Sequence, residues 1–248
     1  MSDWEALVVD DCSTDNTAEV VLEFRDDKRI KLYRLEVNGG SGHARNVAAS
    51  MSTAPLLMIA DADDISLPHR AETQVRAFES DPNLSVLGGQ VADFGSWGGP
   101  VRGHWPVSPA EIASKIRHQK MPVAHCAMMI RRSSFDDAGG YDEECRRAQD
   151  YALLRKVRTG KFAALDSVVV HYRTVRPIPF RYVILNGRYS RLARIRTRSR
   201  NPKLDAKVTH FPFSLITDAR STVTWARRRL SERAPKESAF WSTKTRPE

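Results

Sequence analysis

The sequence has few cysteines, no long apolar run and no leader-like N-terminus. Its three cysteines, Cys12, Cys126 and Cys145, are odd in number and widely spaced, which argues against a disulfide framework and against a zinc site. Apolar runs stay well below the roughly 20 residues that a membrane-spanning helix needs. Residues 1–5 lack the basic and apolar segments of a signal peptide. A reduced, cytoplasmic setting is therefore expected.

Acidic residues are scarce only in the C-terminal part of the chain. Residues 1–173 contain 21 Lys and Arg against 25 Asp and Glu, whereas residues 174–248 contain 18 against 5. The formal net charge of +9 therefore comes from the C-terminal part, and an electrostatic partner is expected there.

Short β-rich runs alternate with helical patterns over the first 80 residues. The β-rich runs are 5–10, 29–35 and 56–60. Strands that alternate with helices predict an α/β fold with a mostly parallel sheet flanked by helices. Three later β-rich runs extend the sheet, and they are 84–91, 126–130 and 162–172.

The third apolar run, Leu56–Ala60, ends in three carboxylates, Asp61, Asp63 and Asp64. In open α/β sheets, ligands bind just beyond the carboxyl ends of the strands. Three acids crowded there repel one another unless a cation or hydrogen-bond donors offset their charge. Oxygen ligands of this kind suit Mg²⁺ or Mn²⁺. An acidic surface turn is the alternative, but the position directly after a buried strand favours a metal site.

Polar groups follow other strands as well, and four motifs stand in a recognisable order. The motifs are Val8–Thr17, Asn38–Asn46, Asp61–Asp64 and Gly139–Tyr151. In this order they resemble the family 2 glycosyltransferases of the GT-A fold, which are inverting enzymes that use nucleotide-diphosphate sugars. The resemblance covers about residues 5–173. Cys12 stands where Gly or Asn is commoner, and Gln149 replaces the usual Glu.

The resemblance implies a role for each polar residue of the motifs. The nucleotide sugar would be bound by Asp10, Asp11, Arg45, Asp61 and Asp63. The metal ion, Mg²⁺ or Mn²⁺, would be held by Asp63 and Asp61. Asp150 would be the catalytic base, and His125 and Gln149 would face the acceptor. The implied reaction moves a sugar to a hydroxyl acceptor with inversion. The acceptor would be a polysaccharide, a lipid-linked glycan or another cell-surface glycoconjugate.

Each of these residues also has a plainer structural explanation. Asp64 could cap the segment that follows it, and Arg45 could be a surface charge. His125 could be a buried imidazole whose hydrogen bonds are satisfied, and Asp150 could be an acid favoured by a helix N-terminus. At the level of the chain, the alternatives are a truncated, inactive glycosyltransferase-like protein and a haloacid-dehalogenase-type phosphatase. A phosphatase of that type would leave Asn38–Asn46 and Asp150 unused.

Members of the family usually begin with a strand and a helix before the first acidic motif, and residues 1–5 cannot supply them. In the family fold that strand lies between the acidic-motif strand and the Asp61 strand. Its absence would leave unpaired backbone groups in the middle of the sheet. A start codon placed too far downstream or a truncated form is expected, and a rearranged sheet is the third explanation.

The chain is predicted to divide into a glycosyltransferase domain at 1–175, a basic amphipathic helical extension at 176–233 and a disordered tail at 234–248. A helix over 181–200 places Tyr182, Leu185, Tyr189 and Leu192 on one side and arginines on the other. Such a helix favours peripheral contact with an anionic membrane. The alternative is packing of the Tyr/Leu stripe onto the body, and no specific nucleic-acid partner is expected.

Overall fold

The computed structural model describes residues 3–197 and 215–232 of the chain. It confirms an α/β fold in which a curled sheet is flanked by helices. The elements are β1 (Ala6–Asp10), α1 (Thr17–Leu22), β2 (Ile30–Arg34), α2 (Ser41–Met51), β3 (Leu56–Met58), β4 (Ile65–Ser66), α3 (Arg70–Ser80), β5 (Leu84–Gly95), β6 (Gly98–Arg102), α4 (Pro109–Arg117), β7 (Met129–Arg131), α5 (Arg132–Asp137), α6 (Gln149–Lys156), β8 (Lys161–Arg173), α7 (Phe180–Arg196) and α8 (Leu215–Glu232).

The strands of the described residues form two sheets. β1 and β2 pair in parallel, and the other strands follow the order β3-β7-β5-β8-β4, with β6 paired to β5. The strand–helix alternation predicted parallel pairing, which holds for β1–β2 and β5–β8. The remaining pairs are antiparallel. One cause is local, because the tight turn between β5 and β6 can join only antiparallel strands.

Helix α2 connects the two sheets, which share no strand ladder within the described residues. It packs against β1. On its other side, the Asn46 side chain forms hydrogen bonds with both backbone polar groups of Tyr141. Asn46 Nδ2 donates to the Tyr141 carbonyl at 3.0 Å, and Asn46 Oδ1 accepts from the Tyr141 amide at 2.8 Å. The end of β1 is thereby tied to the loop that leads into α6.

The largest apolar cluster lies between the central strands β5 and β7 and the helices α4, α5 and α6. Its most buried members are Val86, Ile130, Met128 and Leu153. Two glycines of β5 allow side chains to approach the strand closely. A Cβ on Gly88 would lie 2.7 Å from the Val123 side chain, and one on Gly89 would lie 2.5 Å from Val169. Glycine is therefore required here by packing.

Arg70, the first residue of α3, is a fully buried cation with 1% exposure. Its guanidinium donates to the Ile59 carbonyl at 2.7 Å, to the Met128 carbonyl at 3.3 Å, to Ser66 Oγ at 2.9 Å and to Gln74 Oε1 at 3.1 Å. These bonds join the ends of β3 and β4 and the start of β7 to α3. Burial lowers the pKa of Arg70 to about 10, so the side chain stays charged at neutral pH.

Helix α7 packs onto the body through its C-terminal half. Leu192 and Ala193 are buried against α6 and Cys145, and Arg196 Nε lies 2.5 Å from Asp142 Oδ2. This contact agrees with the alternative prediction, in which the Tyr/Leu stripe packs onto the body. Arg188 and Asp218 connect α7 to α8 at 2.6 Å.

The predicted 181–200 helix corresponds to α7, which ends at Arg196. Residues 198–200 and the predicted disordered tail at 234–248 lie outside the described residues. Within the described ranges, no helix combines the length and the apolar character needed to cross a membrane.

Replacing Arg70 by Met should strongly destabilise the protein, because the buried Ile59 carbonyl and the Gln74 side-chain oxygen lose their donor, and the Met128 carbonyl keeps only the Ile59 amide. We expect the free energy of unfolding to fall by about 3 kcal/mol, measured by urea unfolding followed by circular dichroism. Arg76→Met is the matched control, since Arg76 lies on the same helix and pairs with Glu72 at the surface. Equal losses in both variants would contradict the role given to Arg70.

Candidate active site

The acidic segment Asp61–Asp64 is a turn that is held at the rim of the larger sheet. The Asp64 amide donates to the Asp61 carbonyl at 3.1 Å. Asp64 Oδ1 accepts from the Arg173 amide at 2.8 Å, and Arg173 Nε donates to the Asp63 carbonyl at 2.8 Å. The turn is thereby fixed to the end of β8. Helix α3 has His69 at its N-cap position, so Asp64 does not cap it.

The carboxylates of this turn influence one another, because Asp61, Asp63 and Asp64 are crowded together. Burial, together with the charges of Asp61 and Asp63, raises the pKa of Asp64 to about 6. Asp64 Oδ2 is buried without a hydrogen-bond partner among the described residues, whereas Asp63 is exposed. These oxygen donors fit a hard divalent cation in kind. Within the described residues, no three His, Cys, Asp or Glu side chains converge as a preformed metal site.

Arg45 of α2 pairs with this turn. Its Nη2 atom lies 2.5 Å from Asp61 Oδ1, and both side chains are partly buried. The guanidinium also lies 5.8 Å from the centre of the Tyr141 ring. Arg45 is therefore more than a surface charge, because it couples the second motif to the third.

The two acids at the end of β1 organise a loop. Asp11 accepts from the amides of Gly39 at 2.7 Å and Gly40 at 2.8 Å, so both of its carboxylate oxygens bind the backbone that precedes α2. Asp10 is buried, accepts from the Ser13 amide and pairs with Arg34. Hydrogen bonds from Ser13 lower the pKa of Asp10. The predicted contact of Asp11 with the nucleotide sugar stays a prediction.

Asp150 and Gln149 lie in the first turn of α6, where the helix dipole favours negative charge. Ala148, just before them, has φ +58°, a conformation that is uncommon outside glycine and that often occurs at functional sites. Asp150 Oδ1 accepts from the Tyr151 amide at 2.7 Å, and Gln149 Nε2 donates to Ser41 Oγ at 2.9 Å. The Gln149 contact places the start of α6 next to the start of α2.

His125 lies among the residues of these separate segments. Its Nε2 atom is 2.8 Å from Tyr141 Oη. Burial lowers the pKa of His125, while the charges of Asp150 and Asp61 raise it and that of Arg45 lowers it. Arg45, Asp61 and Asp150 therefore all lie within electrostatic reach of one imidazole. The structure brings these predicted residues together, while their individual roles stay predictions.

Three residues of this region received no role from the sequence. Tyr141 bonds to His125, Arg173 holds the acidic turn, and the Arg147 guanidinium lies 5.3 Å from the Tyr182 ring. The last contact places the first turns of α7 beside the start of α6. A sequence signal existed for Tyr141 and Arg147, because both lie within the Gly139–Tyr151 motif that contains Asp150.

The raised pKa of Asp64 predicts a pH-dependent stability. Between about pH 4 and pH 6 the folded protein keeps a proton that the unfolded chain has lost, so this group makes the free energy of unfolding fall as pH rises. Without added metal, Asp64→Asn should be more stable than the wild type by about 1 to 2 kcal/mol above pH 7, after allowance for solvent screening. Near pH 4 the two should be equal.

Urea unfolding in EDTA at several pH values measures this difference. Asp137→Asn on α5 is the control, because Asp137 has an exposed carboxylate and should show no such trend. A difference between wild type and Asp64→Asn that is the same at every pH would contradict the assignment.

Comparisons with known proteins identify the family and the fold. The family profile described as Glycosyl transferase family 2 matches residues 1–139. An uncharacterized glycosyltransferase of Haemophilus influenzae is 31% identical over 171 residues, which are 67% of this chain and 62% of that protein. The poly(ribitol-phosphate) beta-N-acetylglucosaminyltransferase TarS of Staphylococcus aureus is 41% identical over 181 residues, which are 71% of this chain and 31% of that protein.

Solved structures show the same fold. S. aureus TarS 1-349 in complex with UDP-GlcNAc superposes with a TM-score of 0.57 at 20% identity over 92% of this chain and 64% of that one. The mannosyltransferase PcManGT from Pyrobaculum calidifontis, in complex with GDP-Man and Mn2+, gives 0.58 at 18% identity over 90% and 66%. The chain spans less than two thirds of the length of the curated relatives named above. Since the profile covers more than half of the chain, the protein belongs to glycosyl transferase family 2.

Proposed function

We propose that the protein transfers a sugar from a nucleotide-diphosphate sugar to a hydroxyl acceptor, with inversion and with the help of Mg²⁺ or Mn²⁺. The observation that carries this proposal is the gathering of Arg45, Asp61 and Asp150 around His125 in a family 2 chain. The proposed acceptor is a polysaccharide, a lipid-linked glycan or another cell-surface glycoconjugate. The solved neighbours bind UDP-GlcNAc in one case and GDP-Man in another, so the nucleotide is left open.

The loop after β1 and the start of α2 are proposed to bind the nucleotide. Asp11 holds the amides of Gly39 and Gly40 in place, and Asp10 fixes the turn at Ser13. Arg45 projects from the same helix toward the acidic turn and offers a cation to the diphosphate.

Asp63 and Asp61 are proposed to hold the divalent cation. Asp63 is exposed, and Arg45 orients the Asp61 carboxylate. When bound, the ion offsets the charge on the departing diphosphate. The Asp64 carboxylate stabilises the turn, because it accepts a hydrogen bond from the Arg173 amide.

Asp150 is proposed to act as the base. One carboxylate oxygen is held by the Tyr151 amide, and the other has no protein partner within the described residues. It would take the proton of the acceptor hydroxyl as that oxygen attacks the anomeric carbon from the side opposite the diphosphate. A positioned base of this kind typically contributes about 10²–10⁴-fold to the rate. His125 and Gln149 are proposed to face the acceptor.

The haloacid-dehalogenase-type phosphatase finds no support in the family match. An inactive glycosyltransferase-like protein is the remaining competing reading. Screening of nucleotide sugars by thermal shift with Mn²⁺ separates the two, because an inactive relative without a donor site would show no metal-dependent stabilisation by any donor.

Asp63→Ala should abolish metal-dependent nucleotide binding, because it removes the exposed oxygen ligand of the turn. Isothermal titration calorimetry with UDP and Mn²⁺ measures this loss directly. The control is Asp166→Ala, which removes an exposed carboxylate of β8 that pairs with Arg102 of β6. This variant should bind as the wild type does. Unchanged Mn²⁺-dependent binding in Asp63→Ala would contradict the metal assignment.

Asp150→Asn should leave donor binding intact and stop transfer, since the amide keeps the shape of the side chain but cannot accept a proton. Donor affinity by calorimetry and sugar transfer by product analysis are compared in the same preparation. We expect the rate to fall by roughly 10² or more. Normal turnover by Asp150→Asn would show that another group is the base.

We also propose a cytoplasmic protein with peripheral contact to an anionic membrane, through the first turns of α7 rather than through the whole of 181–200. Phe180 and Tyr182 are 45% and 43% exposed and flank Arg181. Aromatic and basic side chains side by side are typical of helices that bind a membrane surface.

Phe180→Ser combined with Tyr182→Ser should reduce co-sedimentation with vesicles that contain anionic phospholipid. Val223→Ser is the control, because Val223 is an exposed apolar residue of α8 that has no part in the proposed membrane contact. Equal pelleting of the wild type and the double variant would remove the membrane proposal and leave the sugar-transfer proposal untouched.

A further inference from the structure

Tyr141 and His125 form a bonded pair at the centre of the proposed site. Tyr141 Oη lies 2.8 Å from His125 Nε2, and the two rings meet edge to face with centroids 5.8 Å apart. Tyr141 is 3% exposed, whereas His125 is only partly buried. The imidazole therefore reaches accessible space that the phenol does not.

The position of the Tyr141 ring is fixed from several sides. Asn46 bonds to both backbone polar groups of Tyr141, and the Phe135 ring packs against the phenol with centroids 5.6 Å apart. The Tyr141 hydroxyl, which lies at the end of this ring, is therefore held in one position.

The direction of this hydrogen bond follows from the hydroxyl proton. A buried hydroxyl must give its proton to an acceptor, and within the described residues His125 Nε2 is the acceptor in contact with Tyr141 Oη. Burial raises the pKa of Tyr141, so the phenol keeps its proton. Burial also lowers the pKa of His125. A neutral imidazole that accepts at Nε2 carries its proton on Nδ1.

The Nδ1 atom of His125 is available to a ligand. It has no hydrogen-bond partner among the described residues, and it is not one of their fully buried atoms without a partner, so part of its surface is accessible. We propose that His125 Nδ1–H donates a hydrogen bond to a hydroxyl oxygen of the donor sugar or of the acceptor, and that Tyr141 is the positioning residue that fixes this tautomer. The inference rests on the proposed function.

A neutral donor suits this position for two reasons. An imidazolium would add a positive charge near Asp150 and make that carboxylate a weaker base. A protonated Nδ1 is also unable to coordinate a metal, so the pair separates hydroxyl recognition from the carboxylates of the acidic turn.

The tautomer is tested without any assay of activity. Long-range proton–nitrogen correlation spectra of the ¹⁵N-histidine protein should show His125 protonated at Nδ1 and unprotonated at Nε2. In Tyr141→Phe the preference should be lost, whereas Tyr33→Phe, which removes an exposed hydroxyl, should leave the His125 signals unchanged. A His125 protonated at Nε2 in the wild type would overturn the proposal.

Three substitutions test the contact with substrate. The amide of Asn lies near the Nδ1 position and that of Gln near the Nε2 position, so His125→Asn should keep most of kcat/KM. His125→Gln and His125→Ala should each lose roughly tenfold, the effect of one neutral hydrogen bond. A raised KM for the nucleotide sugar assigns the oxygen to the donor, and a raised KM for the acceptor assigns it to the acceptor. His118→Asn, at the exposed end of α4, is the control.

Equal kcat/KM in all three His125 variants and the wild type would overturn the substrate contact. If the wild type transfers no sugar, the proposed function fails on its own, and the spectra still decide the pair. In that case a His125 Nδ1 signal that moves on addition of UDP-GlcNAc or GDP-Man with Mg²⁺, or of an oligosaccharide acceptor, supports the contact, and one that moves with none of them overturns it.

Discussion

The buried guanidinium of Arg70 is the constraint on which the candidate site depends. A charge without water must find hydrogen-bond acceptors, and Arg70 finds them on β3, on β4, at the start of β7 and within α3. Two of its partners are the carbonyls of Ile59, two residues before Asp61, and of Met128, directly after the turn His125–Ala127. The acidic turn and the imidazole are therefore placed by one shared cation.

The rest of the site is assembled by contacts between segments that are distant in sequence. Arg45 reaches from α2 to Asp61, Asn46 reaches from the same helix to Tyr141, and Gln149 reaches back from α6 to Ser41. Each contact joins α2 to another segment, namely the acidic turn, the loop before α6 or the start of α6. Because several bonds converge on α2, a shift of this helix would move the nucleotide side and the proposed base together.

Local features of the structure were predictable from the sequence, whereas contacts over long distances were not. The Ser108–Glu111 capping box is one such local feature, since it depends on four adjacent residues. The strand before Asp61 ends at Met58, earlier than its apolar run suggests. Arg70 lies in a helix whose pattern gives no sign of a buried cation. The His125–Tyr141 bond and the insertion of β7 between β3 and β5 depend on tertiary packing.

The central claim is that the acidic turn and the start of α6 share one cleft. Paramagnetic relaxation by Mn²⁺, added with UDP to the ¹⁵N-labelled protein, measures this directly. The account predicts that amide signals of residues 61–64 and 148–151 broaden together, while those of residues 108–112 on α4 stay sharp. Broadening at 61–64 with sharp signals at 148–151 would contradict the shared cleft.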